Sequence, residues 1–212
     1  CLSASREVGG TWELAIRSEQ LATLLSGFGL PEVAANGTGK FSVKPDTGAA
    51  AASGNLQAQA SQLQKISADL APIGSVTLKV SFDGAMADNV ARLDQLVLDV
   101  AAADGRKFAE IRALQKITFA LADKRVTLAD PKAELARVSL KEIPLAWAQS
   151  FAKPRVIEGG DLSMVLAVEA EPDGSRIRVR SAEPLALRNV TVREGDKKLV
   201  DRLTLTVRPT ID

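Results

Sequence analysis

The sequence predicts a mainly β protein: an elongated, curled antiparallel β-sheet with two short helices, built from imperfect repeats. Apolar and polar residues alternate with a period of two over most of the 212 residues, which is the pattern of half-buried strands. Short turns rich in Gly, Asp and Pro separate the alternating runs, and helical signals are confined to two short windows. Because consecutive strands of such a meander run in opposite directions, we expect one antiparallel sheet with one apolar face.

The clearest alternation is GSVTLKVSF, in which Lys79 and its polar neighbours take the face opposite the apolar side chains. The apolar members are Val76, Leu78, Val80 and Phe82. The next run, LDQLVLDVA, places Leu96 and Leu98 on one face. A period of two puts Asp94 and Asp99, which are five residues apart, on opposite faces.

Further strands follow the same pattern. The turn dipeptide Asp104-Gly105 predicts a hairpin between LDQLVLDVA and KFAEIRALQ, and the runs ITFAL and RVTLAD flank a turn at Asp123-Lys124. The run DLSMVLAVEA carries a second apolar stripe, formed by Leu162, Met164, Leu166 and Val168. RIRVR, PLALRNVTV and LVDRLTLTV complete the meander. The small-residue stretch from Gly48 to Gly54 fits either a loop or a weak strand, and the sequence leaves both open.

Two short helices are predicted, near residues 18–27 and 144–152. The first contains LATLLSGF and is closed by glycines, and the second contains LAWAQSF and begins at Pro144. Both are too short to be stable alone, so we expect each to dock on the sheet. Trp12 and Trp147 lie near the two windows and are expected to hold the helices there.

The two helix windows lie in matching contexts, which indicates an internal repeat. In each, a short apolar helix is followed by Pro, a Gly pair and an alternating strand, and aligning residues 39–43 with 160–164 gives an offset of 121 residues. The match is one of pattern rather than identity. We expect one elongated β-rich domain over residues 1–212, with a first repeat over about 9–130 and an incomplete second over about 131–212.

Composition excludes several functional classes. Charge is balanced, with 27 Lys and Arg against 26 Asp and Glu, so no general attraction to nucleic acid is expected. The chain has no His, which removes the commonest general base and metal ligand. Its one Cys cannot form an internal disulfide, and no carboxylates are spaced like a calcium loop. The sequence therefore predicts a protein that is not an enzyme and has neither metal nor cofactor.

The ends of the chain suggest a piece of a larger protein. No stretch approaches ~18 uninterrupted apolar residues, and no signal peptide is recognisable. Strand-like patterns run close to both ends, which favours an excised part of an envelope protein over a cytoplasmic one. Cys1 fits either a lipidation site or a cut at that point, and the sequence leaves both open.

Several segments resemble the AsmA-like and TamB-like families of bacterial envelope proteins. They are LAWAQSF with the following RVIEGGDLSMVLAV, the run PDGSRIRV leading to PLALRNVTVREGDKKL, and the paired strands of LVLDVAAADGRKFAEIRAL. The resemblance covers the chain from Gly9 to its end and rests on patterns of small and apolar residues. It implies a curled sheet with an apolar groove, located in the periplasm and tethered to the inner membrane through a segment outside this chain.

The same resemblance implies a role in moving phospholipids between membranes or in assisting outer-membrane assembly, with other envelope proteins as partners. It brings no catalytic residues. A sheet with one apolar face must pack on a second sheet, curl around itself or hold an apolar ligand, because bare apolar surface is unfavourable in water. Two short helices are too small to cover it.

The apolar stripes on the predicted strands form the candidate binding site. We expect acyl chains to lie along the apolar face formed by Val76, Leu78, Val80, Phe82, Leu96, Leu98, Leu162, Met164, Leu166 and Val168. The alternative is a β-sandwich scaffold or protein-interaction domain, in which the apolar faces are buried against each other. An open apolar surface favours lipid binding, and a closed dry core favours the scaffold.

Overall fold

The computed structural model describes residues 7–18, 31–122, 125–130, 132–170 and 176–208. Most of these residues form strands, as the alternating pattern predicts. The strands in chain order are β1 (Val8–Arg17), β2 (Glu32–Lys44), β3 (Ala49–Ser61), β4 (Val76–Ala87), β5 (Val90–Ala102), β6 (Lys107–Ala113), β7 (Ile117–Ala120), β8 (Arg125–Leu128), β9 (Ala136–Pro144), β10 (Val156–Ala170), β11 (Ile177–Glu194) and β12 (Lys197–Val207). The stretch from Gly48 to Gly54, for which a loop was the other option, belongs largely to β3.

All 12 strands belong to one antiparallel sheet. Ten of them lie side by side in the order β1-β2-β3-β4-β5-β6-β9-β10-β11-β12. β7 and β8 form a branch, in which β7 pairs with the first residues of β5 while β6 pairs with its last residues. Among the described strands β1 and β12 lie at the two ends of this order and do not pair with each other, and β8 pairs only with β7, so the sheet is open. The predicted fold class is confirmed.

The sheet is a single layer for most of its extent. The chain exposes 13994 Å² of surface, whereas a compact monomer of 22.4 kDa exposes only about 9,400 Å². Among the described residues only small groups of apolar side chains are buried, and no large side chain is fully buried. No second layer of described structure therefore covers the face of this sheet.

The helix predicted near residues 144–152 is present. A 3-10 turn, Leu145–Ala148, continues into one turn of α-helix, Gln149–Ala152, directly after Pro144. Trp147 packs edge-to-face on Phe108 of β6 with ring centroids 4.9 Å apart, so it holds this segment on the sheet as predicted. The other predicted helix, near residues 18–27, lies outside the described residues apart from its first position.

Two features of the connections differ from the sequence-based prediction. The β3–β4 connection contains two 3-10 segments, Leu63–Lys65 and Ala68–Ile73, for which the alternating pattern gives no signal. RIRVR and PLALRNVTV form one strand, β11, instead of two, because register shifts against β10 and β12 let the strand bend without ending. The β5–β6 hairpin is confirmed, with Gly105 at φ +82° in its turn.

A small packed core lies beside the β7–β8 branch. Leu128, Leu135 and Ala170 are its buried members. Partly buried apolar residues pack around them: Ile117, Val126, Ala136 and Val168. The branch thus closes one end of the sheet, near the last residues of β10.

Candidate functional site

The apolar side chains predicted to bind lipid lie on one face of the sheet. Residues paired across an antiparallel ladder point to the same side, so the register carries a face from strand to strand. On β4, Val80 pairs with Leu98 of β5, and the path continues through Ile111 and Val138 to Leu166 of β10. The other predicted residues follow by alternation: Val76, Leu78 and Phe82 on β4, Leu96 on β5, and Leu162, Met164 and Val168 on β10.

The apolar face extends beyond the predicted residues. Two rows of paired residues cross eight strands from β1 to β10. The first row is Leu14, Gly37, Leu56, Val80, Leu98, Ile111, Val138 and Leu166. The second row is Ile16, Ala35, Ala58, Leu78, Val100, Ala109, Leu140 and Met164. Seven strand spacings of about 4.8 Å give the face a width of about 33 Å.

The apolar residues of β1 and β9 were not among those predicted to bind lipid, although they also alternate with polar residues in the sequence. Trp12, Leu14 and Ile16 alternate in the run TWELAI, and Val138 and Leu140 alternate in VSLKE. These runs belong to β1 and β9, which place their apolar side chains on the same face as β4 and β5. The pairing of the strands, which alternation alone does not give, joins them into one surface.

Trp12 lies on this face over glycines of the two neighbouring strands. Its ring stacks on Phe82 of β4, with centroids 6.3 Å apart and an interplanar angle of 19°. A side chain at Gly39 would come within 2.5 Å of the indole, and one at Gly54 would overlap it. The glycines therefore leave room for the ring to reach across β2 and β3. The predicted contact of Trp12 with the first helix falls outside the described residues.

The face is accessible over most of its area and closed at one end. Leu14, Phe41 and Met86 expose 36%, 38% and 44% of their surface, and the central residues Val80 and Leu98 are half-buried. Val168 is different, because it packs against the core beside the β7–β8 branch. The predicted site is thus an open surface around β4 and β5 and a closed core near the end of β10.

The opposite face is polar and contains a cavity of about 470 Å³. Its lining includes Asn36, Thr38, Gln57 and Lys79. Of the residues predicted to bind lipid, Val80 alone borders this cavity. This cavity therefore lies on the other side of the sheet from the apolar face.

Ion pairs hold the polar face. Lys107 Nζ lies 2.6 Å from Asp99 Oδ2. Arg180, from the run SRIRVR, lies 2.6 Å from Glu169 and 3.0 Å from Glu134. The hydrogen bond to Glu169 is the main reason that the pKa of Arg180 is raised, and Glu134 adds to it. This arginine is thus engaged within the sheet.

Asp94 and Asp99 both lie on the polar face, so the prediction that they lie on opposite faces is wrong. The register shifts where Asp83 pairs with Gln95 and Gly84 with Leu93, which leaves Asp94 as an extra residue in β5. Its carboxylate accepts a hydrogen bond of 2.8 Å from Arg92 on the polar side. A β-bulge of this kind reverses the phase of the alternation.

The environment of Asp94 favours its charged form. The hydrogen bond from Arg92 is the largest cause that holds the pKa of Asp94 below its ordinary value, and Lys116 Nζ, 3.1 Å from Oδ1, contributes as well. Partial burial acts in the opposite direction. The bulge is therefore stabilised by a charge network that depends on the ionised carboxylate.

We expect the stability of Asp94→Asn to decrease less at acid pH than the stability of wild type does. Because the folded state lowers the pKa of Asp94, its stabilisation is present above the unfolded pKa of about 3.9 and is lost as pH falls through the folded pKa. Thermal melting between pH 5 and pH 3 should show a smaller decrease in Tm for the variant than for wild type. Asp88→Asn, at an exposed turn residue, is the control, and equal pH slopes for Asp94→Asn and wild type would contradict the assignment.

Metal ligands and a Ser–Lys pair are the remaining candidates for chemistry among the described residues. Within the described ranges no three His, Cys, Asp or Glu residues are placed to hold a metal ion. A Ser-x-x-Lys spacing occurs at Ser150 and Lys153, but these residues lie at the one-turn helix and not in the lining of the 470 Å³ cavity. A Ser–Lys pair acts as a nucleophile only in a site that desolvates the lysine.

Comparison of the chain with protein-family models, with curated proteins and with solved structures finds no match. The helices of the described ranges include none with the length and hydropathy of a membrane span.

Proposed function

We propose that this chain is a non-enzymatic cell-envelope protein that handles lipids, with acyl chains held on the apolar face of its sheet. The observation that carries the proposal is the apolar surface that crosses eight strands of an open single-layer sheet. Large exposed apolar patches are rare on soluble monomers and indicate a binding surface.

The dimensions of the face suit an acyl chain. The five strands from Val80 to Leu166 span about 19 Å at ~4.8 Å per strand, and the acyl chains of one bilayer leaflet span about half of a ~30 Å hydrocarbon core. Burial of apolar surface contributes roughly 25 cal/mol per Å², so a tail that covers even ~200 Å² of this face gains about 5 kcal/mol before the costs of ordering.

The cellular setting of the proposal comes from the resemblance to AsmA-like and TamB-like proteins. On this proposal the protein works in the periplasm, tethered to the inner membrane, with phospholipid as cargo and envelope proteins as partners in lipid transport or outer-membrane assembly. The absence of His and of a nucleophile elbow supports a role without catalysis.

A scaffold function is the second candidate, and the core beside the β7–β8 branch is the observation that favours it. There Val168 packs against Leu135 and Ala170, as it would in a closed sandwich. If a partner protein covered the apolar face on β4 and β5 in the same way, that face would be a protein interface and not a lipid site.

Organic extracts of the purified, detergent-free protein distinguish the two functions. We expect mass spectrometry to find phospholipid or fatty acid bound in stoichiometric amounts, and a fluorescent fatty acid to bind the delipidated protein. Size-exclusion chromatography on the same sample reports self-association. A lipid-free monomer that binds no fatty acid would contradict the proposal and leave the scaffold function.

A further inference from the structure

The helical connections gather at one end of the sheet. The β3–β4 connection contributes the 3-10 segments at residues 63–73, and the β9–β10 connection contributes residues 145–155. The segments Ala68–Ile73 and Leu145–Ala148 contact each other, so the two connections form one structural unit. We call residues 62–75 and 145–155 the helical end.

The helical end presents apolar side chains to solvent. Phe151 exposes 91% of its surface, and Ile66, in the other connection, exposes 61%. Val156, the first residue of β10, exposes 50%. Phe151 points to solvent, whereas Trp147, four residues earlier, packs on Phe108 of the sheet.

Basic residues flank the exposed ring. Residues 141–155 carry Lys141, Lys153 and Arg155 against the single acid Glu142, which gives this segment a net charge of +2. Arg155 is 58% exposed and lies 4.0 Å from Glu194. The β3–β4 connection has no net charge, because it carries Lys65, next to Ile66, and Asp69. An exposed aromatic ring followed within four residues by Lys153 and Arg155 matches the interface of an anionic bilayer, where rings sit at headgroup depth and Lys and Arg contact phosphate.

We propose that the helical end docks on an anionic phospholipid bilayer, with Phe151 inserted among the headgroups and the neighbouring cations on lipid phosphates. This inference rests on the proposed function and adds the place at which lipid would enter or leave. Val76 follows the β3–β4 connection directly, so the apolar face begins at the docked end. A tail leaving the bilayer would meet Val76 and Leu78 first.

A bilayer fits this end better than a folded protein partner. A stable protein interface buries about 800 Å² on each side in a continuous patch, whereas the helical end offers separate apolar side chains between charges. Isolated rings with flanking cations suffice for a bilayer, because each side chain inserts independently and the surface charge adds to the attraction.

The test is sedimentation of the whole chain with vesicles of phosphatidylglycerol and, separately, of phosphatidylcholine. We expect binding to phosphatidylglycerol vesicles that weakens with salt, and a decrease of about tenfold or more in partitioning for Phe151→Ser. Ile177→Ser is the matched control, because Ile177 is 62% exposed at the opposite end of the sheet. Its partitioning should equal that of wild type.

Fluorescence gives a second readout that depends on depth. In a Trp12→Phe background Trp147 is the only tryptophan. Brominated phosphatidylglycerol should quench Trp147 in this single variant but not when Phe151→Ser is added to it. Binding of a monomeric fluorescent fatty acid should stay unchanged in Phe151→Ser, which separates docking from lipid binding by the face. Equal partitioning of Phe151→Ser and wild type, or absence of vesicle binding, would overturn the docking inference while leaving the proposed function to its own test.

Discussion

Leu98→Asp is expected to reduce binding of a fluorescent fatty acid by more than tenfold. Leu98 of β5 lies in the middle of the apolar face, where it pairs with Val80 of β4 on one side and with Ile111 of β6 on the other. A carboxylate at this position must either lose water when a tail covers it or keep the tail away. Burial of an uncompensated polar group costs roughly 2 kcal/mol or more, which exceeds a tenfold change in affinity.

The adjacent residue supplies a matched control. Val97 belongs to the same strand and points to the polar face, where it pairs with Ser81 and Arg112. Val97→Asp introduces the same charge one residue away from Leu98 but on the polar face. It should therefore leave fatty-acid binding close to the wild-type value. Lys79→Ala, also on the polar face, should do likewise.

Two further measurements must accompany the binding assay: whether the variant is folded, and how far the lipid site extends across the sheet. Circular dichroism and thermal melting have to show that Leu98→Asp retains the sheet, since the substitution also removes apolar contacts. Leu166→Asp, three strands away from Leu98, reports whether the site continues to β10. If folded Leu98→Asp binds the fatty acid as well as Val97→Asp does, the apolar face is not the lipid site.

The strand alternation was enough to predict which side chains share a face, because it depends only on local backbone geometry. A period of two fixes the side of each residue along β4, and antiparallel pairing transfers that side to β5. The open antiparallel sheet followed from the same pattern together with its turns. The width of the face did not follow, since it requires β6 and β9 to lie between β5 and β10.

The deviations from the predicted pattern arise from contacts between strands. The bulge at Asp94 occurs where β5 passes Gly84, whose missing side chain lets the partner carbonyl of Arg92 approach. The closure around Val168 depends on the β7–β8 branch folding beside β10. Neither the bulge nor the closure can be predicted from the alternation within one segment, because both depend on which strand lies opposite.

The position of Trp12 illustrates the same limit and leads to a second strong prediction. Its ring lies on glycines that belong to β2 and β3, and the pattern of β1 alone does not indicate which strands these are. Gly39 and Gly54 are paired directly across these strands, so their backbones and the ring occupy one crowded volume. A glycine in a strand interior is unfavourable by itself and is retained where something approaches closely.

Gly39→Ala is therefore expected to destabilise the fold by about 2–3 kcal/mol, which corresponds to a decrease in Tm of roughly 5–10 °C for a chain of this size. The added Cβ would overlap the carbonyl of Ser53 and displace the ring of Trp12, so the stack on Phe82 would be lost and the indole emission would shift to the red. Gly159→Ala is the control, because the nearest atom to its Cβ is 4.0 Å away, at the carbonyl of Asn189. This variant should melt within about 2 °C of wild type, since an alanine fits a strand at least as well as glycine where space allows. Equal Tm values for the two variants would show that the glycines are not what admits Trp12 to the apolar face.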